Sequence, residues 1–285
     1  MEEKSQKQNV QDSEKKKDNS VAKLVMVLAA LLIVAVLWGL TSDSPMFIYV
    51  ICIVSVIAVF LIFAIIAVLC NNRLQGALNL QCNPYKYHRY FLFVRSFVTI
   101  LAPGYYIKNK INYQILHALG LRHQGKLDKA LKVLLSIDKN KFSSLAQQVT
   151  YFNNLCDIYF LLNDYDLAQK ALDVGFCALE SITDAKDYKT LFGYLRDNQL
   201  CIKMLALGDT SGVEEFYLTA ITEADNELSR VGARLCLGMY YQLIKQYDVA
   251  LLHFKYVIQH GNRLVAVKLA KEYIEKIQAN IGMEI

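Results

Sequence analysis

Two uninterrupted apolar runs constrain this chain more than anything else in it. Residues 24–40 read LVMVLAALLIVAVLWGL and residues 46–70 read MFIYVICIVSVIAVFLIFAIIAVLC, with no charged side chain in either. A helix needs about 20 apolar residues to cross roughly 30 Å of hydrocarbon. The second run is long enough alone, and the first becomes so if it starts at Val21 with Lys23 extending toward the interface. In lipid every backbone polar group must be satisfied internally, so such runs cross as helices. The link between them, TSDSP at 41–45, forces an antiparallel hairpin, and Trp38 and Tyr49 flank it where interfacial aromatics belong. A secretory signal would have a shorter apolar segment and a cleavage site after it. An uncleaved two-span anchor over 21–70, with spans at about 21–40 and 46–70, is therefore expected.

The net charge of +5 is unevenly distributed. Residues 71–110 contain Arg73, Lys86, Arg89, Arg95, Lys108 and Lys110 and no acid, whereas the rest of the chain is close to neutral. Basic residues flank both spans on the outside of the hairpin and the turn has none, so both termini are expected in the cytoplasm of an integral membrane protein, the cell membrane being the expected one. Residues 1–20 are polar, mixed in charge and expected to be disordered. The seven cysteines show no CxxC spacing and read as reduced thiols, as a cytoplasmic location would leave them.

Asn83-Pro84 reads as a helix start, with Asn as N-cap and Pro in the first turn. The following YKYHRYFLFVRSFVTIL places Tyr87, Tyr90, Phe91, Val94, Val98 and Leu101 on one helical face, and Pro103-Gly104 ends it. Residues 71–110 are thus expected to form basic membrane-proximal helices, with Lys86, Arg89 and Arg95 as candidate contacts to anionic lipid. Because the charge is local, nucleic acid is not an expected partner.

From residue 111 onward the pattern is helical and recurrent. GKLDKALKVLL (125–135), NDYDLAQKALD (163–173), GDTSGVEEFYL (208–218) and KQYDVALLHFK (245–255) share a break followed by a small residue at Ala130, Ala168, Val213 and Ala250. Leu155, Tyr159, Tyr165 and Leu172 in the second copy, and Leu237, Gly238, Tyr241, Tyr247 and Phe254 in the fourth, complete the pattern. It resembles the tetratricopeptide repeat family, whose unit is a helix–turn–helix of 34 residues. These copies are degenerate: their spacing is longer, none carries the family's terminal Pro or first Trp, and TDAKDYKTLFG before the third reads as an insert. The expected fold class is all-α: a transmembrane hairpin followed by an α-solenoid of repeats over 111–285. Its last helix, 264–281, is read as a solvating cap.

No sequence motif for catalysis emerges. The five histidines lack metal-ligand spacing, HExxH and GxSxG are absent, and GLRHQGKL at 120–127 has Leu127 where a P-loop needs Ser or Thr. Glu214–Glu215 and Asp184–Asp187 read as solvated acidic faces. The expectation is a protein that is not an enzyme, with no cofactor or metal. The resemblance implies a concave groove on the first helix of each pair, at positions matched here by Arg122, Asn153, Asp157, Asn198 and Gln242. That groove would bind a protein or peptide. The family's carboxylate clamp needs Lys and Asn where this chain has Ile115 and Leu119, which implies a more apolar partner segment. The function expected is a membrane-anchored scaffold; the alternative is a structural subunit whose obligate contacts run through Ala29, Ala30, Gly39 and Ser55 of the hairpin.

Overall fold

The computed structural model describes residues 45–283, apart from many side chains of the 46–72 stretch and those beyond residue 279. The expected tail, first span and turn up to residue 44 lie outside the described residues. All described regular structure is helical: α1 (Pro45–Asn79), α2 (Pro84–Leu101), α3 (Pro103–Lys108), α4 (Lys110–His123), α5 (Leu127–Leu135), α6 (Leu145–Leu161), α7 (Tyr165–Leu179), α8 (Ala185–Leu207), α9 (Val213–Thr222), α10 (Glu227–Leu243), α11 (Tyr247–His260) and α12 (Val265–Met283), with a 3₁₀ turn at Lys139–Lys141. The chain divides into two compact units, Met1–Leu69 and Cys70–Ile285.

In the first unit, α1 carries the second apolar run. Among the described residues no helix is long and apolar enough to cross a membrane. Where side chains of this helix are described, Tyr49, Ile53, Val56, Ile57, Leu61 and Val68 are exposed.

The second unit is built from helix pairs, and each pair turns at a residue in the left-handed region: Gly125 (φ 74°), Asn163 (φ 60°), Gly208 (φ 69°) and Lys245 (φ 62°). These are the first residues of the four recurrent segments. In three of them the next amide reaches back five residues, Lys126 to Leu121, Asp164 to Tyr159 and Gln246 to Tyr241. That bond satisfies a helix-end carbonyl and turns the chain sharply. The side chains of Asn83, Ser144, Asp164, Asp184 and Asn226 then cap the starts of α2, α6, α7, α8 and α10.

Ala130, Ala168, Val213 and Ala250 are all fully buried. A small side chain there lets the two helices of a pair approach closely, and α4–α5, α6–α7 and α10–α11 do so. The third copy has the larger Val213. Its α9 packs closely on α10 instead and reaches α8 through Tyr217, whose hydroxyl donates to the Asp197 carboxylate at 2.6 Å. The insert TDAKDYKTLFG lengthens a helix: Asp184 caps α8 and residues 185–193 are its first turns.

Two layers of core result. One joins α4 to α8 through Ala118, Leu134, Phe152, Leu172 and Leu195. The other gathers the end of α1, α2 and α8–α12 around Leu78, Tyr87, Phe91, Leu237 and Phe254. Helix α2 is thus part of the packed unit, and the Tyr87 hydroxyl donates to the Leu116 carbonyl at 3.1 Å. Helix α12 keeps Lys268, Lys271, Glu275 and Lys276 exposed, with Ala270 and Ile277 fully buried. It also does more than cap. Just before it, the Asn262 amide donates to the Gln81 carbonyl at 2.8 Å and the Arg263 amide to that of Cys82 at 3.3 Å. Val265 then packs against Gly125. The array closes on its own beginning.

Candidate functional site

The second unit contains a cavity of about 600 Å³. Its wall includes Leu119 and Arg122 from α4, Asn153 and Asp157 from α6, Tyr194 and Asp197 from α8, Phe216 from α9 and Gly232 from α10, together with Leu78 at the end of α1 and Tyr87 of α2. Helical spacing explains the selection, because residues three to four apart share a face.

Four of the five sequence-derived groove residues, Arg122, Asn153, Asp157 and Asn198, line this cavity, and Gln242 lies outside it. They are not equivalent. Arg122 and Asp157 form an ion pair with each other across α4 and α6, so neither presents an unpaired charge. Asn198 donates from Nδ2 to Oδ1 of Asn153 at 3.0 Å. Asn154, beside Asn153, donates to the Thr150 carbonyl at 2.8 Å, but its Oδ1 is buried without a partner. A buried acceptor left unsatisfied costs about 1–3 kcal/mol. Of the two apolar groove positions, Leu119 lines the cavity, whereas Ile115 is buried in the α4–α8 core.

Asp197 on α8 is half-buried and joins the wall to Tyr217 of α9. Burial raises its carboxyl above the usual range, while the Tyr217 hydroxyl and the Arg122 charge pull it back down. One turn later on α8, the Cys201 thiol is 2.9 Å from the Tyr217 hydroxyl and 3.3 Å from the Cys236 thiol. Ligand atoms of Asp197, Cys201 and Cys236 fall within 4.8 Å of one another, so among the described residues these three form a group that could hold a metal. The hydrogen bond with Cys236, then burial, holds the Cys201 thiol well up and therefore protonated. Burial likewise pushes Cys156 to about 12. On the other side, burial brings Arg122 down to about 10 and keeps His123 neutral, helped by the Arg122 charge. What the wall offers is therefore hydrogen-bonding amides, one carboxylate and aromatic surface.

Sequence reasoning missed Asn154, Tyr194, Asp197, Phe216 and Tyr217. It chose single positions from the repeat register. The signal was the full face of α8, where Gly193, Tyr194, Asp197 and Asn198 recur at helical spacing. It also misread Glu214, which is half-buried and accepts from the Tyr240 hydroxyl at 3.3 Å and the Tyr241 hydroxyl at 2.6 Å. Glu215 is exposed as expected, and Asp184 is a helix cap.

The three candidate lipid contacts also separate. Arg89 is exposed. Lys86 donates to Gln81 at 2.9 Å, and the Arg95 guanidinium rests 5.9 Å from the Tyr106 ring centre.

Compared with protein-family models, with curated proteins and with solved structures, the chain matches none.

Proposed function

We propose that this chain is a non-enzymatic, membrane-anchored adaptor that holds a segment of a partner protein in the cavity of its helical unit. The observation that carries this reading is the cavity wall. It presents polar side chains from successive helices, among them Asn153 on α6 and Asp197 on α8. Around these lie Leu119, Tyr194 and Phe216, which suit an apolar partner segment. The left-handed turns followed by buried small residues support reading the pairs as degenerate tetratricopeptide-like repeats. Exposed apolar side chains along α1, together with the 21–40 run, support a two-span anchor with both termini in the cytoplasm. No metal or cofactor enters this reading.

Gly193 and Gly232 line the cavity and have nothing within 4 Å of where a Cβ would lie. A Cβ at either therefore meets open space, so a bulky side chain there is the substitution that probes the cavity at least cost to the core. The test is co-purification of the detergent-solubilised full chain with partners from its native membranes. Gly232→Trp should fold and lose the partner that the parent chain retains. Retention of the same partner by Gly232→Trp contradicts the proposal and favours contacts through the hairpin.

A further inference from the structure

Helix α2 is apolar on two opposite sides. Tyr87, Phe91 and Val94 point into the core. On the other side Tyr85, Leu92, Phe93 and Ile100 are exposed, Ile100 by 76%, with Arg89 between them. At 100° per residue, positions 85, 89, 92, 93, 96 and 100 fall on one face. The pattern continues into α3, where Ile107 is 71% exposed and Lys108 follows it. Apolar side chains on a second helix face normally find something to bury against, yet among the described residues nothing covers this side.

The charge pattern selects what does cover it. Residues 71–110 carry six basic residues and no acid, which complements an anionic surface rather than the mixed charge of a protein face. Exposed apolar and aromatic groups with cations among them are what an interfacial helix presents to lipid. The segment also follows directly on the apolar 46–70 run. We infer that the outward face of α2, extended by α3, seats in the headgroup layer of an anionic bilayer. Leu92, Phe93 and Ile100 enter the acyl boundary, while Arg89 and Lys108 meet lipid phosphates. This differs from the sequence expectation, since Lys86 and Arg95 are engaged with Gln81 and Tyr106. It rests on the membrane-anchored reading above.

The test uses the full chain in vesicles containing about one-third anionic lipid with brominated acyl chains. Trp38 is the sole tryptophan, so a Trp38→Phe background accepts single reporters at Phe93→Trp and Ile100→Trp, with Leu207→Trp as the exposed control. At 93 and 100, emission should shift to the blue. Bromolipid should quench it at least twofold more than at 207, and the quenching should fall by half or more on Arg89→Glu or when zwitterionic lipid replaces the anionic one. Water-like emission at 93 and 100, quenched by acrylamide as at 207, overturns the inference. So does emission shielded from both quenchers, which would mean that a protein, a second copy or a partner, covers the face. An alkaline carbonate wash reads the anchor separately. Loss of the chain from washed vesicles counts against the anchor, whereas retention with water-like emission at 100 counts against this face alone.

Discussion

The side-chain amide of Asn262 donates to the main-chain carbonyl of Gln81 at 2.8 Å, joining residues 181 positions apart. Both ends of this bond lie in turns rather than helices, and Asn262 itself is left-handed at φ 48°. Asn262→Ala removes the bond and places alanine where only Gly and Asn sit easily. The expected cost is about 1–2 kcal/mol, read as a lower urea midpoint. Amide exchange should rise most at 81–87 and 262–266. Asn262→Gly keeps the backbone geometry and should cost about half as much.

The repeat turns make a prediction of opposite sign. Lys245 holds φ 62° without glycine's freedom. Lys245→Gly should stabilise the unit by about 0.5–1 kcal/mol, the relief of the left-handed strain less the added freedom of the unfolded chain. Gly125→Ala should destabilise it by about 1 kcal/mol or more, because a Cβ there also meets Val265 at 3.1 Å. Thermal midpoints of the two variants are expected on opposite sides of the parent.

Two glycines on α10, six positions apart, should respond in opposite ways. A Cβ at Gly238 would lie 2.6 Å from the Phe254 ring, which is fully buried and stacked on Tyr273 at 5.3 Å. The ring has no room to yield, so Gly238→Ala should cost about 1–3 kcal/mol as an overpacked core. At Gly232 there is open space, and Gly232→Ala should gain about 0.5–1 kcal/mol in helix propensity. Chemical denaturation of the pair distinguishes a packing requirement from a tolerated glycine.

Acid should loosen the α10–α11 contact. His253 is buried against Tyr241, with Arg234 3.3 Å from its Nδ1. Burial, then the Arg234 charge, brings it down from 6.5 to about 4. The unfolded chain therefore binds the proton first as pH falls, and stability is lost between pH 6.5 and 4. The loss attributable to this residue should be about 2 kcal/mol at pH 5. Denaturation of the parent and of His253→Gln at pH 7 and pH 5 should show a smaller pH effect in the variant. An equal effect in both would contradict this assignment.

The helices and their turns were legible because local physics writes them. Asn83-Pro84 starts a helix and Ala130, Ala168 and Ala250 mark where helices touch. Gly125, Asn163, Gly208 and Lys245 all became left-handed turns, including the two that are not glycine. The closure was not legible. Asn262 and Gln81 lie far apart in the chain and carry no periodic mark, and the pairing depends on how much each helix pair rotates. The cavity was half legible for the same reason. The repeat register pointed to Arg122 and Asp157 as separate polar positions, and only the packed helices reveal that they neutralise each other. Nor did the repeat pattern show that Tyr217 would bridge α9 to Asp197 on α8.

In the proposed function the cavity, not the outer surface, receives the partner. This is tested most directly by a photo-crosslinking residue placed in the full chain in its native membrane, at Tyr194 on the cavity wall or at Leu252, which is exposed on α11 and is not part of that wall. One discrete protein adduct is expected from Tyr194, absent from Leu252 and abolished by Gly232→Trp. The same adducts from both positions, or an adduct from Tyr194 that survives Gly232→Trp, would contradict it.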